Sequence, residues 1–197
     1  MALTREQVVD TAVAILRDFG LADLSMRRLA RELDVQVGAL YWHVKNKQEL
    51  LVDVAARLLG GIPASGAGPA AGRPAPREEG GTTPERAAVV LLTLRIRAAL
   101  VPVPDSAEVV QLAQTLQPAA LEPLTRLREL LEAAGVPPRH SGWAQHLLLN
   151  HILGSVAAHQ DRATLDAVDA IGGPELGEDA FRWGLDAALD GMLAPSR

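Results

Sequence analysis

Five neighbouring side chains carry the most legible chemistry in this 197-residue chain: Tyr41, Trp42, His43, Lys45 and Lys47. A phenol, an indole N–H, an imidazole and two ammonium groups all donate well to phosphate oxygens, and such contacts position a protein on a duplex. Upstream, Arg27, Arg28 and Arg31 add guanidinium groups, whose fork matches guanine O6 and N7. From Ser25 to Lys47 five cations face two carboxylates, Glu32 and Asp34, so the segment is +3 in a chain of net charge −5 and the remainder is −8. An acidic chain is a poor non-specific coat for nucleic acid, whereas one basic segment suits a local reading surface. The only two lysines, Lys45 and Lys47, both lie in it.

Other chemistries find little support. The sequence has no Gly-rich phosphate loop, no nucleophile elbow and no metal-ligand spacing, which argues against an enzyme, and no catalytic or metal residue is assigned. The absence of cysteine excludes disulfides, thiolate metal sites and cysteine nucleophiles. No apolar run is long enough to cross a bilayer and the N-terminus lacks the order of a signal peptide, so a soluble cytoplasmic protein without membrane partners is expected.

The elements that must position those side chains follow from periodicity and caps. Thr4 with Gln7 forms a capping box for a first helix, whose Val8, Ala12, Ile15 and Phe19 share one apolar face and whose end is set by Gly20. Ser25 caps a second helix that turns Met26, Leu29, Ala30 and Leu33 inward and leaves its three arginines in water. Asp34 stands where a left-handed residue is needed, a conformation that Asp tolerates better than most side chains. A shorter helix is expected from Gln36 to Val44, with Leu40 and Val44 inward and Val37, Gly38, Ala39, Tyr41, Trp42 and His43 outward. That layout is a helix-turn-helix, in which the second helix enters the major groove. Asn46 and Glu49 then start a fourth helix at Lys47, whose free N–H groups offer a phosphate site.

At these residues the sequence resembles the TetR family of bacterial transcriptional repressors. Tyr41 to Lys47, YWHVKNK, looks like the end of that family's recognition helix, and the likeness runs from about Leu3 to Leu59. The resemblance implies that Arg27 reaches a base, that Tyr41, His43 and Lys47 hold the DNA backbone, and that Trp42 packs on the domain with its N–H toward phosphate. Ser25, Arg28 and Gln36 complete the expected DNA-facing set. Val37, Gly38 and Ala39 depart from the family's type member, which has larger or polar residues there, so readout at these positions rests on thymine methyls and close backbone approach.

Residues 60–83 are rich in Gly, Pro and Ala and are expected to be a flexible segment. From Thr83 onward the pattern is helical throughout, with runs after Thr83, after Ser106, over 119–134 and over 138–160, a short turn near 164–170, and a last helix over 176–193. The fold expected is therefore all-α: a three-helix head, residues 1–46, joined through a fourth helix to a larger ligand-binding and dimerisation domain, residues 47–197. By the resemblance, the last two long helices pair with those of a second copy, and Gly154, Ala158, Phe181, Leu185, Ala188, Leu189 and Met192 are the candidates. The resemblance also implies a small-molecule inducer, with no further cofactor required, and a palindromic operator read by the homodimer. Trp143, His146, Asn150 and His151 are the candidate pocket. Four histidines cluster there, but His146 and His151 are five apart and off one face, so pocket or polar roles are favoured over a metal-chelate site. A DNA-binding dimer without an inducer is the alternative.

Overall fold

The computed structural model describes residues 3–63, 83–166 and 177–194, and these residues form helices and connecting turns without a strand. The order is α1 (Arg5–Asp23), α2 (Met26–Glu32), α3 (Val37–Leu40), α4 (Lys47–Leu59), α5 (Pro84–Leu100), α6 (Ser106–Leu116), α7 (Glu122–Ala133), α8 (Pro138–Asp166) and α9 (Glu178–Leu193), with one 3-10 turn at Pro118–Ala120. Of the expected flexible segment 60–83, residues 64–82 lie outside the described residues, as do 167–170 of the expected turn 164–170 and the expected start of the last helix at 176; residues 161–166 do not leave the helix as expected but continue α8 to Asp166.

Local chemistry sets most of the helix starts. Thr4 Oγ1 accepts from the Gln7 N–H at 3.2 Å and Gln7 Oε1 accepts from the Thr4 N–H at 2.9 Å, closing the capping box. Ser25, Asn46 and Thr83 each accept from the backbone N–H three residues on, at 3.2, 2.8 and 3.2 Å. Pro84 opens α5, where its missing N–H costs nothing.

Three expectations are corrected. The recognition helix is four residues long and passes into a turn at Tyr41, so Tyr41, Trp42 and His43 lie beyond it. Gly20 breaks α1 with φ 77° and ψ 178°, a region open to glycine, but the chain regains a last turn to Asp23. Phe19 is exposed, not buried in the core, and its cover is partial and comes from outside: the Arg28 guanidinium lies 3.7 Å over one face of its ring.

The core is continuous along the chain. Val8, Ala12, Leu16, Leu29, Leu40 and Val44 close the first three helices around one apolar centre, and Leu50, Val54 and Leu58 extend it along α4. α4 packs on α1 on one side and on α6 on the other, so it is the mechanical link between the N-terminal helices and the rest. α5, α7 and α8 surround a second centre built from Val89, Ile96, Leu124, Leu127, Leu131, Leu148 and Ile152.

Candidate nucleic-acid interface

α2 and α3 meet at a tight turn. Asp34 holds φ 52°, the left-handed conformation expected of it, and its N–H bonds to the Arg31 carbonyl at 3.2 Å. Leu40 and Val44 are fully buried, which pins α3 by its inner edge and turns the opposite edge to solvent. On that outer edge Gln36 and Gly38 are exposed, and Val37 and Ala39 are half-covered by the head itself. Nothing lies within 4 Å of where a Gly38 Cβ would stand, so the surface there is open to an approaching groove.

Just past α3, Tyr41 is 51% and Trp42 89% exposed. Trp42 therefore does not pack on the domain as expected. Holding so large an apolar ring in water is costly unless something covers it, and the neighbouring donors are those of a phosphate-binding surface. Arg27 and Arg31 are exposed on α2, His43 is half-buried, and Lys47 opens the first turn of α4, where unpaired N–H groups favour an anion.

Arg28 is removed from the expected set. Its Nη1 donates to Asp23 at 2.5 Å, its guanidinium covers Phe19, and its Nε is buried, so it braces α2 against the end of α1. Ser25 is likewise occupied as the cap of α2. Sequence reasoning also missed Arg5, which donates to Asp53 at 3.0 Å, to Glu49 at 2.9 Å and to the His43 carbonyl at 3.0 Å. That fork ties α1, the turn after α3 and α4 together, and its partners lie more than thirty positions away, beyond any local pattern.

The two carboxylates of this clamp titrate in opposite directions. The Lys45 N–H and then the Arg5 guanidinium hold Glu49 below the usual carboxylate range, while burial outweighs Arg5 and raises Asp53. Asp53 is thus expected to take its proton above the usual aspartate value, and Glu49 below the usual glutamate value. The support given by Glu49, present above its ordinary value, is lost only as the pH drops through its lowered one. Carboxyl-carbon chemical shifts followed through an acid titration check both directions, and a Glu49 midpoint above the ordinary glutamate value or an Asp53 midpoint below the ordinary aspartate value would contradict them.

The structure separates the four candidate pocket residues. Trp143, His146 and Asn150 lie along one cleft of about 910 Å³ with Gln114, Pro118, Thr125 and Arg128, between the 3-10 turn, α7 and α8. His151 is elsewhere: its ring stacks on Phe181 at 4.5 Å and its Nε2 is 2.9 Å from the Phe181 carbonyl, so it fastens α8 to α9. A second cleft of about 600 Å³ lies between the start of α8 and the end of α9, and Trp143 and Leu147 wall both. Among the described residues no three His, Asp or Glu side chains gather where a metal ion could be held.

The candidate dimer residues also divide. Phe181, Leu185 and Leu189 are buried within the chain and cannot meet a partner, which corrects their assignment. Ala158, Ala188 and Met192 are half-covered, and Gly154 is exposed. The outward apolar side chains on these helices are instead Trp143, Leu147 and Trp183.

Comparison with known proteins agrees with this geometry. The sequence pattern of "Bacterial regulatory proteins, tetR family" matches residues 8–58. The class C tetracycline repressor of Escherichia coli is 51% identical over 57 residues, 29% of this chain and 26% of the repressor, so this match spans about a quarter of that relative's length. Over the full length, BioQ of Mycobacterium smegmatis is 36% identical with a TM-score of 0.78, covering 98% of this chain and 99% of that one. A BioQ solved with its natural double-stranded DNA operator is 33% identical with a TM-score of 0.74, with 98% of this chain and 100% of that one covered. ActR of Streptomyces coelicolor, solved in complex with (S)-DNPA, is 25% identical with a TM-score of 0.76 over the whole of both chains.

Proposed function

The chain belongs to the TetR family of bacterial regulatory proteins, and from that premise we propose that it is a homodimeric transcriptional repressor released from a palindromic operator by a small molecule. Residues 1–46 are the DNA-reading head and residues 47–197 the regulatory domain. The observation that carries the DNA reading is the outward surface of the head: Arg27, Gly38, Tyr41, Trp42 and Lys47 on one side, with Leu40 and Val44 locking the other. One such head reads too few bases to specify an operator, so two must act together.

Within the head the roles divide. Arg27 supplies base readout, while Tyr41, Trp42, His43 and Lys47 hold phosphate and sugar. Arg27→Ala is expected to cost about 1–3 kcal/mol on the preferred site and to relax one base position. Lys47→Ala is expected to weaken all sequences alike and to lower the salt dependence. Retention of the DNA upstream of the protein's own gene, against scrambled DNA at near-physiological salt, tests both. If the two variants lose equally on every sequence, this division is wrong, and equal retention of both DNAs by the unaltered protein sinks the reading itself.

The cleft walled by Trp143, His146 and Asn150 supports an effector site, because it is large enough for a drug-sized molecule and mixes an aromatic plate with polar groups. An effector acts only if it prefers the arrangement of heads that cannot bind DNA. Trp143 also faces the side on which a second copy is expected, so ligand and partner would bear on the same indole.

A further inference from the structure

We propose that Asp105, at the start of α6, is the positioning residue that fixes the DNA-reading head on the regulatory domain; this deepens the reading above and rests on it. Three locally unfavourable choices converge on one contact. Asp105 holds φ 57°, a left-handed conformation that side chains other than glycine rarely adopt. It stands at the N-cap of α6, yet its carboxylate does not cap that helix. Instead, Oδ2 accepts from the Leu21 N–H at 2.6 Å, across 84 positions of sequence. On the other side, Gly20 has φ 77°, and a Cβ placed there would lie 2.8 Å from the same oxygen. The backbone of α1 therefore comes close enough to Asp105 to be held only because residue 20 is glycine.

The contact is anchored from the regulatory side. Ser106 Oγ donates to the Leu100 carbonyl at 2.8 Å, and Gln160 Nε2 on α8 donates to the Val103 carbonyl at 2.7 Å, which holds the loop that carries Asp105. α8 is also the helix that presents His146 and Asn150 to the cleft. A continuous set of bonded groups thus runs from α8 through Gln160, Val103 and Asp105 to Leu21 at the kink of α1. The apolar contact of α4 with α6 resists separation of the two parts, and the directional bond from Leu21 to Asp105 sets their angle.

The test compares the full-length protein with D105G, which keeps the left-handed backbone and removes the acceptor, and with D105N, which keeps both. Exchange of the Leu21 amide, read by NMR, is expected to be about tenfold faster or more in D105G and near the unaltered rate in D105N. DNA binding is measured on a palindromic duplex selected by the unaltered protein from a random pool, and on versions with one base pair inserted or removed at its centre. The unaltered protein and D105N are expected to discriminate among the spacings, and D105G to bind all three within about twofold of one another as its heads reorient freely. A residue that served stability alone would lower affinity for every spacing by one factor. That result, or a Leu21 amide unchanged in D105G, overturns the proposal. If the unaltered protein itself ignores spacing, the palindromic reading fails, and the Leu21 exchange alone decides whether Asp105 holds α1.

Discussion

Leu40→Ala is expected to destabilise the N-terminal helices by about 2–5 kcal/mol, the range for emptying a fully buried leucine site. Leu40 is the one buried residue of α3, a helix of four residues. So short a helix has no stability of its own and exists because its inner edge is fastened to the core. Leu40 belongs to the buried cluster that also holds Leu16 of α1, Leu29 of α2 and Leu50 of α4, so filling its space would require several elements to move at once. The backbone of Tyr41 to His43 hangs from the same point, since the His43 and Val44 amides bond to the Leu40 carbonyl at 2.9 and 3.0 Å. The variant should therefore lose DNA binding along with stability. Trp42→Ala provides the contrast: at 89% exposure it should change stability by less than about 0.5 kcal/mol while weakening DNA binding. Denaturant unfolding of the two variants checks this, and a loss under about 1 kcal/mol in Leu40→Ala would show that α3 is held by something other than its buried edge.

The features legible in the sequence are those whose causes are local. Thr4, Ser25, Asn46 and Thr83 announce helix starts because a cap and its recipient N–H are three residues apart. Asp34 could be placed in a left-handed turn because helix-turn-helix sequences usually have glycine at that position and Asp tolerates the conformation better than most side chains. The helix-turn-helix and the inward pair Leu40 and Val44 came from periodicity, which records burial directly.

The misreadings have distant causes. Phe19 looked buried because it continues an apolar stripe, yet Arg28 from α2 supplies its cover. Arg28 looked free for DNA because its partner Asp23 belongs to the end of another helix. Trp42 was expected to pack because the family resemblance implied it, although periodicity turned it outward, and neither reveals that the helix has already ended at Leu40. His151 shared a run with His146 but turns to the other side of α8, as five residues on a helix dictate. The bond from Leu21 to Asp105 has no sequence signal beyond a lone glycine and a lone aspartate 85 positions apart.

The second large effect is expected at Trp183. The apolar stripe and the family resemblance together made Phe181, Leu185 and Leu189 candidates for the contact between two copies, but those residues are consumed inside the chain against α8. Trp183, Ala187 and Gly191 follow at intervals of four on the outer side of α9, and Gly191 shares a cleft with Trp143 and Leu147 of α8. Two of the chain's three tryptophans, 73% and 76% exposed, thus stand on one outward face of the last two helices. A tryptophan side chain carries roughly 150–250 Å² of surface, and covering the three quarters still open contributes on the order of 3–5 kcal/mol before the cost of association. Trp183→Arg puts a charge where that cover is expected without touching the buried side of α9. The variant should keep its helical content and sediment as a monomer. With two heads no longer joined, affinity for a palindromic duplex should fall about 10²–10⁴-fold, the gain that linkage confers. A Trp183→Arg protein that remains dimeric would place the contact between copies on another face, and a monomer that keeps full operator affinity would mean that a single head suffices.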